Sequence, residues 1–460
     1  MSRLNWFDRL WAIAHPGQAD TDVPVEGLVL SGGGSRASFH LGALRYLYDK
    51  AHIAPSCIVA TSAGSIIGTA LAQSQDPAEQ SEVLRTVEQY WLAMSNAGEM
   101  FAEQTWFTRL REQWESLSEV VPDLRTEPDP LDPGFYDAND SDAATLMREA
   151  LDFDPSANAG DFSLSKLWQF LSALPRLGRA GAGLASMLRG AEIAASAYRP
   201  GSLAYRLLFE SGFTTEAVRE SGMQLRIAFV GLNSGDLHFM RQDGVIVDPD
   251  DKPVLDTPFD LTMGVWASCS IPGVFRPVKL GDELYVDGGV RDNVPVEMAV
   301  DTLGVTRPYV IVATPPGVAP PETDSLDILS IMFRSFSIVM DEMVRNEVSW
   351  ARRAGAVVIE PLINVHSPLV VDQALLRINR DYGWMRAAEE MTGAEAGTTG
   401  PIVEARLELN RCLSEPEPDE EKTKKARRHV RALLEEADPA LLPEGYDSWP
   451  DEPGPKGTVR

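Results

Sequence analysis

Cysteine is scarce in this 460-residue chain: Cys57, Cys269 and Cys412 are the whole supply, and no two form a C-x-x-C pair. Three isolated thiols exclude a disulfide framework and a cysteine-based zinc site, and a reducing compartment is the natural reading. Cations are also outnumbered, with 41 Lys and Arg against 68 Asp and Glu, a formal charge of −27. Nucleic acid needs clustered Lys and Arg along its phosphates, so no nucleic-acid partner is expected. The same charge disfavours loose adsorption to an anionic membrane except where it is locally reversed. No stretch approaches the roughly 18 apolar residues of a membrane-spanning helix. The start, M-S-R-L-N-W-F-D-R-L-W-A-I-A, has too short an apolar run for an export signal and carries Asp8 and Arg9 inside it. It reads as a short helix packed on the domain, with an interfacial membrane anchor as the alternative. A cytoplasmic protein, with peripheral membrane contact as a variant, is the expectation.

What is present is a globular composition, 44% hydrophobic and 24% charged. The chain is longer than one hydrophobic core commonly supports. From residue 26 the pattern runs strand (E-G-L-V-L), glycine turn (S-G-G-G-S-R-A-S) and helix (F-H-L-G-A-L-R-Y-L-Y-D-K), and a second unit follows with C-I-V-A, T-S-A-G-S and I-I-G-T-A-L-A. Two such units in succession imply a parallel sheet flanked by helices. Further strands are expected at 225–230, 308–314 and 354–361, and a helix over 370–391.

Residues 76–222 break this rhythm and form an insertion. Its part from 124 to 160 is rich in Pro, Asp and Glu; the run 137–148 fails as a calcium loop, with Asp142 at the turn-glycine position and Arg148 at the bidentate-Glu position. Residues 163–212 carry Lys166, Arg176, Arg179, Arg189, Arg199 and Arg206 against Glu192 and Glu210, a local charge of +4. That segment is either a lid meeting lipid headgroups or a helical cap whose arginines pair with the protein's own acids. Residues 392–460 read as charged solvent-facing helices followed, from Asp438, by a loosely attached tail.

Three glycines, Gly32, Gly33 and Gly34, separate a strand from a helix N-terminus. Without Cβ atoms the backbone can approach an anion, either a phosphate or a tetrahedral oxyanion. A P-loop would end in G-K-[ST]; this turn continues Ser35-Arg36-Ala37. In A-T-S-A-G, Ser62 has small residues two before and two after it, Ala60 and Gly64, as a strand-to-helix nucleophile elbow requires, and the elbow aims the Ala63 N–H at a developing oxyanion. Ser62 needs a base. His366 would complete the order Ser, Asp, His, and Asp287, in L-Y-V-D-G-G-V-R-D-N-V-P, could take the proton directly from a desolvated position. His40 reads as a packing residue.

The combination of S-G-G-G-S-R-A-S, A-T-S-A-G and V-D-G-G-V, with A-S-C-S-I-P-G-V-F-R-P-V (267–278) upstream of Asp287, resembles the patatin-like phospholipases. The likeness covers residues 26–75 and 223–391, separated by the insertion. It implies a three-layer α/β/α fold around a mostly parallel sheet and a lipid acyl hydrolase acting on a lipid or acyl ester. It also implies Ser62 as nucleophile, Asp287 as proton acceptor, and an oxyanion hole from Gly33 and Gly34 with Arg36 beside them. Gly32, Ser35 and Ala63 complete that loop, and Ala60, Gly64, Gly288 and Gly289 support the elbow and the aspartate turn. No catalytic histidine, metal or cofactor is implied. Two positions depart from the family pattern, Ala60 and Ala37, where glycine is usual; each is expected to narrow an acyl pocket.

Overall fold

Leu28, Val29 and Leu30 are fully buried, but they do not share a core: Leu28 and Leu30 join one apolar cluster and Val29 another. Alternation of side chains along a strand sends neighbours to opposite faces, and both faces of this strand are covered. The computed structural model describes residues 24–104, 108, 196, 198–207, 211–255, 257–318 and 328–452. Its strands are β1 (Glu26–Leu30), β2 (Cys57–Thr61), β3 (Phe101–Glu103), β4 (Tyr198–Pro200), β5 (Gln224–Gly231), β6 (Leu237–Arg241), β7 (Ile246–Val247), β8 (Val278–Leu280), β9 (Glu283–Asp287), β10 (Arg307–Ile311) and β11 (Val357–Ile359). The main sheet runs β11-β10-β1-β2-β5-β6-β7, parallel from β11 to β5 and antiparallel beyond, while β9 pairs β5 and β8 pairs β9.

The longer helices are α1 (Ser38–Tyr46), α2 (Ala63–Leu71), α3 (Pro77–Leu92), α4 (Leu261–Ser268), α5 (Ile328–Arg353), α6 (Gln373–Thr392), α7 (Gly400–Ser414) and α8 (Glu420–Glu436). One sheet face packs Leu28, Ile58 and Ile227 against side chains such as Phe39, Ile67 and Tyr382; the other packs Val29, Val59 and Val310 against Val348 and Ala351 of α5. The result is the expected three-layer α/β/α architecture with a mixed, mostly parallel sheet.

Helices α1 and α6 meet backbone to backbone. A Cβ on Gly42 would lie 1.7 Å from the Arg380 carbonyl oxygen, and one on Gly383 would lie 2.0 Å from that of Phe39. Only reciprocal glycines permit that approach. It places Asn379 so that its Nδ2 donates to the Arg36 carbonyl (3.0 Å) and Ser38 Oγ (2.9 Å), tying α6 to the turn that leaves β1.

Two expectations are corrected. The segment from Asp438 is not loosely attached as far as it is described: Leu441, Leu442 and Trp449 are buried, and the Arg406 guanidinium lies 3.8 Å over the Trp449 ring. Arg406 is itself buried against Asp381 (2.7 Å), so the tail covers an ion pair that needs shielding and satisfaction together. Nor is α7 solvent-facing, since it buries Ile402, Val403 and Leu409; α8, which buries only Ala426 and Val430, fits the reading better. Helix α3, placed by sequence at the start of the insertion, carries Leu84, Val87 and Trp91 into the main core. The run 137–148 and the N-terminal helix lie outside the described residues.

Candidate active site

The register on β5 brings two strand ends together. Parallel β2 occupies one edge of β5 up to Thr61, opposite Ala228. Antiparallel β9 takes over the same edge one residue further on, with Asp287 opposite Phe229, while β6 holds the other edge. The C-terminal ends of β2 and β9 therefore face each other along one ladder, and Ser62 and Asp287 are the residues at that junction.

Ser62 has φ +52° and ψ −129°, a conformation that L-residues rarely adopt, between β2 and α2. Several contacts hold it there. Its N–H donates to Ser268 Oγ (2.8 Å), and its carbonyl accepts from the N–H (2.8 Å) and Oγ (2.6 Å) of Ser65. Gly64 is compelled, because a Cβ there would lie 2.6 Å from the carbonyl oxygens of Leu30 and Ser31. Ala63 begins α2, where helix geometry leaves its N–H without an intrahelical partner. Ala60 is buried within β2.

Ser62 Oγ donates to Asp287 Oδ2 at 2.6 Å, and the other carboxylate oxygen accepts the Gly289 N–H at 2.8 Å. Asp287 N–H in turn donates to the Ser270 carbonyl at 3.0 Å. Ser62 and Asp287 are each 5% exposed. Burial pushes the Asp287 carboxyl up to about 7, against the smaller opposing pull of the hydrogen bonds from Ser62 and Gly289. Gly288 permits the close pass of this turn over β5, since a Cβ there would lie 2.6 Å from the Ala228 carbonyl oxygen.

The glycine loop lies against the same junction. A Cβ on Gly32 would lie 2.4 Å from Asn293 Oδ1 and 3.1 Å from Ser62 Cβ, and Gly34 has φ +56° with the Pro368 carbonyl 2.5 Å from where a Cβ would be. Gly32 N–H donates to the Asn293 carbonyl (3.3 Å), whereas the N–H groups of Gly33 and Gly34 have no partner among the described residues. From this point Ser35 and Arg36 reach to residues 364–368. Ser35 Oγ donates to the Pro368 carbonyl (2.9 Å), and the Arg36 guanidinium donates to the His366 carbonyl (2.6 Å) and Asn364 Oδ1 (2.9 Å). Arg36 thus braces the loop against residues 364–368; its burial lowers it to about 10.

An apolar cavity of about 290 Å³ opens beside Ser62 and Gly34, walled among others by Ile66, Phe101, Leu203, Trp266 and Phe275. Strands β3 and β4, from the two ends of the insertion, supply part of that wall. Neither Ala60 nor Ala37 lines the cavity, so the expected narrowing of an acyl pocket by their methyl groups does not occur.

His366 makes no hydrogen bond to Ser62. Its Nδ1 is 2.9 Å from the Ser367 carbonyl, and burial lowers it to about 4. Asp287 at the end of β9 takes the Ser62 hydrogen bond, and His366, in the loop after β11, instead lies beside Arg36 of the glycine loop. His40 is fully buried with Nε2 3.4 Å from Ser31 Oγ, a packing residue. Of the basic segment, Arg206 pairs with Glu99 (3.2 Å), the self-pairing alternative; Lys166, Arg176, Arg179 and Arg189 lie outside the described residues.

Residues that sequence reasoning left without a role are Ser268, Ser270, Asn293 and Glu347. The first two lie in the S-C-S of 267–278, whose signal was present but gave no function. Glu347 of α5 accepts the N–H groups of Asn293 (3.2 Å) and Val294 (2.9 Å), and burial beside Asp292 raises both carboxyls. No local pattern marks it.

The family model for patatin-like phospholipases matches residues 28–300. The chain belongs to this family. The match runs from within β1 to the helical turn Met298–Thr302, including both strand ends and the glycine loop; β10 and β11 complete the sheet beyond it. Among solved structures, VipD from Legionella pneumophila is similar at 14% identity, covering 93% of this chain and 88% of that one, with a TM-score of 0.34. ExoU in its complex with SpcU, from the type III secretion system of Pseudomonas aeruginosa, shows 17% identity over 91% of this chain and 68% of that one, TM-score 0.23. Human GIVD cytosolic phospholipase A2 in complex with methyl gamma-linolenyl fluorophosphonate shows 15% identity, 56% and 32% coverage, TM-score 0.21. At these TM-scores the assignment rests on the family match. As a patatin-like phospholipase the chain is a hydrolase-family protein whose implied substrate is a lipid, and no helix among the described residues is long and apolar enough to cross a membrane.

Proposed function

We propose that this patatin-like protein is a serine lipid acyl hydrolase of the phospholipase A or lysophospholipase kind, working through a Ser62–Asp287 dyad. The observation that carries the reading is the 2.6 Å hydrogen bond from Ser62 Oγ to Asp287 Oδ2, made on a strained elbow beside glycine amides that have no partner among the described residues. In the first half-reaction Ser62 Oγ attacks the ester carbonyl and its proton passes to Asp287 Oδ2. The oxyanion is received by the N–H groups of Gly33, Gly34 and Ala63. Collapse expels the alcohol, protonated by Asp287, and leaves an acyl-Ser62 ester with its chain in the apolar cavity. Asp287 then deprotonates water, which attacks the acyl-enzyme and regenerates Ser62. A carboxyl near 7 can both take and return the proton at neutral pH.

The test is hydrolysis of a short-chain p-nitrophenyl ester without added metal, together with fluorophosphonate labelling. Wild type should turn over and label at one site; Ser62→Ala should do neither, with activity down by about a thousandfold or more. Asp287→Asn should be comparably slow while folded. A wild-type protein that neither turns over nor labels would make the loop an anion-binding rather than a catalytic device.

A further inference from the structure

The mouth of the cavity carries charge that the rest of the site does not explain. Arg199 of β4 and Arg276 both line the cavity and are exposed. Nearby arginines have internal partners: Arg206 pairs with Glu99, and Arg36 bonds the 364–366 loop. The side chains of Arg199 and Arg276 have no hydrogen-bond or ion-pair partner among the described residues, in a chain whose formal charge is −27. The two belong to one wall. Tyr198 N–H donates to the Val274 carbonyl at 2.9 Å, running β4 beside the 271–276 turn, and Phe101 of β3 stacks on Phe275 with centroids 5.8 Å apart. Phe101 and Phe275 line the same cavity as the two arginines, so a ligand that meets both surfaces has an apolar part and an anionic end.

We propose that Arg199 and Arg276 form a headgroup subsite selecting phospholipids of net negative charge over zwitterionic and neutral acylglycerols. This rests on the hydrolase reading and deepens it. With the ester at Ser62 and the acyl chain in the cavity, the alcohol portion leaves through the mouth, where the two guanidiniums donate charge-assisted hydrogen bonds to a phosphate. A net negative headgroup keeps that attraction; a choline-type headgroup offsets it with its own cation, and a glycerol offers no anion. Phosphate is the shared chemistry of a headgroup and of free inorganic phosphate, and the apolar wall beneath commits the subsite to the lipid.

The experiment compares kcat/KM on 1-octanoyl-glycerophosphoglycerol, 1-octanoyl-glycerophosphocholine and 1-octanoylglycerol, all below their aggregation concentrations. Wild type should prefer the anionic substrate to the neutral one by about tenfold, an exposed pair being weaker than a buried one. In the Arg199→Gln/Arg276→Gln double variant the three values should converge, and in Arg199→Lys/Arg276→Lys part of the preference should return. Because the readout is a ratio within each protein, a general loss of fold or activity does not imitate it. No preference in wild type, or an undiminished preference in the double variant, overturns the proposal. If wild type cleaves neither these lipids nor a p-nitrophenyl ester, the hydrolase reading fails separately, and the subsite is decided by calorimetry with dihexanoylphosphatidylglycerol, dihexanoylglycerol and inorganic phosphate. Preference for the anionic lipid, lost in the double variant, supports it; equal binding of both lipids, or inorganic phosphate binding as tightly as the lipid, overturns it.

Discussion

Asp287 is held with its carboxyl at about 7, and the substitution Asp287→Asn shows what that placement costs the fold. An unfolded aspartate ionises near 3.8. Between these two values the unfolded chain loses its proton and the native protein keeps it, so native stability falls as pH rises through this window and is fully present only below it. A rise of about three in pKa corresponds to up to about 4 kcal/mol of stability absent above neutral pH. Asparagine removes the titration while preserving size, and its side-chain oxygen can still accept the Gly289 N–H. The variant should therefore be inactive but more stable than wild type at alkaline pH, by as much as about 4 kcal/mol, with the difference closing on acidification. The assay is denaturant unfolding of both proteins at about pH 5 and about pH 8, reading midpoints and slopes. Asp292 and Glu347 titrate in both proteins and drop out of the difference. A stability difference that does not change with pH, or a variant less stable at about pH 8, would refute the claim that desolvation sets the Asp287 carboxyl.

In the proposed mechanism Asp287 must be ionised to accept the Ser62 proton, so kcat/KM on a soluble ester should climb with pH and level off above about 7, and a flat profile across that range would contradict the proposed base. His366→Ala should lose less than about tenfold in kcat/KM, far short of Ser62→Ala, since the ring makes no contact with the nucleophile; losses of equal size would restore the histidine alternative. Trp449→Ala should lower stability by about 3 kcal/mol in denaturant unfolding, through a lost large buried side chain and an uncovered Arg406; an unchanged midpoint would return the segment to the loosely attached tail expected from its composition.

The elbow and the glycine loop were legible because each demand is met by the residue type at its own position. Ser62 and Gly34 take a left-handed φ, and Gly32 and Gly64 admit Asn293 and the end of β1 closer than a Cβ would allow, so small residues record those demands even where the neighbour is distant in sequence. The tail was misread for the opposite reason. Its Pro, Asp and Glu content resembles that of unpacked chain, and the few apolar residues that anchor it, Leu441, Leu442 and Trp449, count only once α6 and α7 provide a surface. Helix α3 was misassigned in the same way, since the core that receives Trp91 is built from segments distant in sequence.

The sequence by itself determined the α/β class, the strained serine, the anion-ready loop and two possible bases for that serine, because hydrophobic periodicity and glycine placement are properties of short windows. Only the tertiary structure selects which of Asp287 and His366 hydrogen-bonds Ser62, and it is Asp287. That choice depends on which strand continues the β5 edge where β2 stops, a register between segments more than two hundred residues apart. Non-local pairing of this kind leaves no trace in local composition, and here it brings Asp287 to 2.6 Å from Ser62 Oγ while leaving His366 to buttress Arg36.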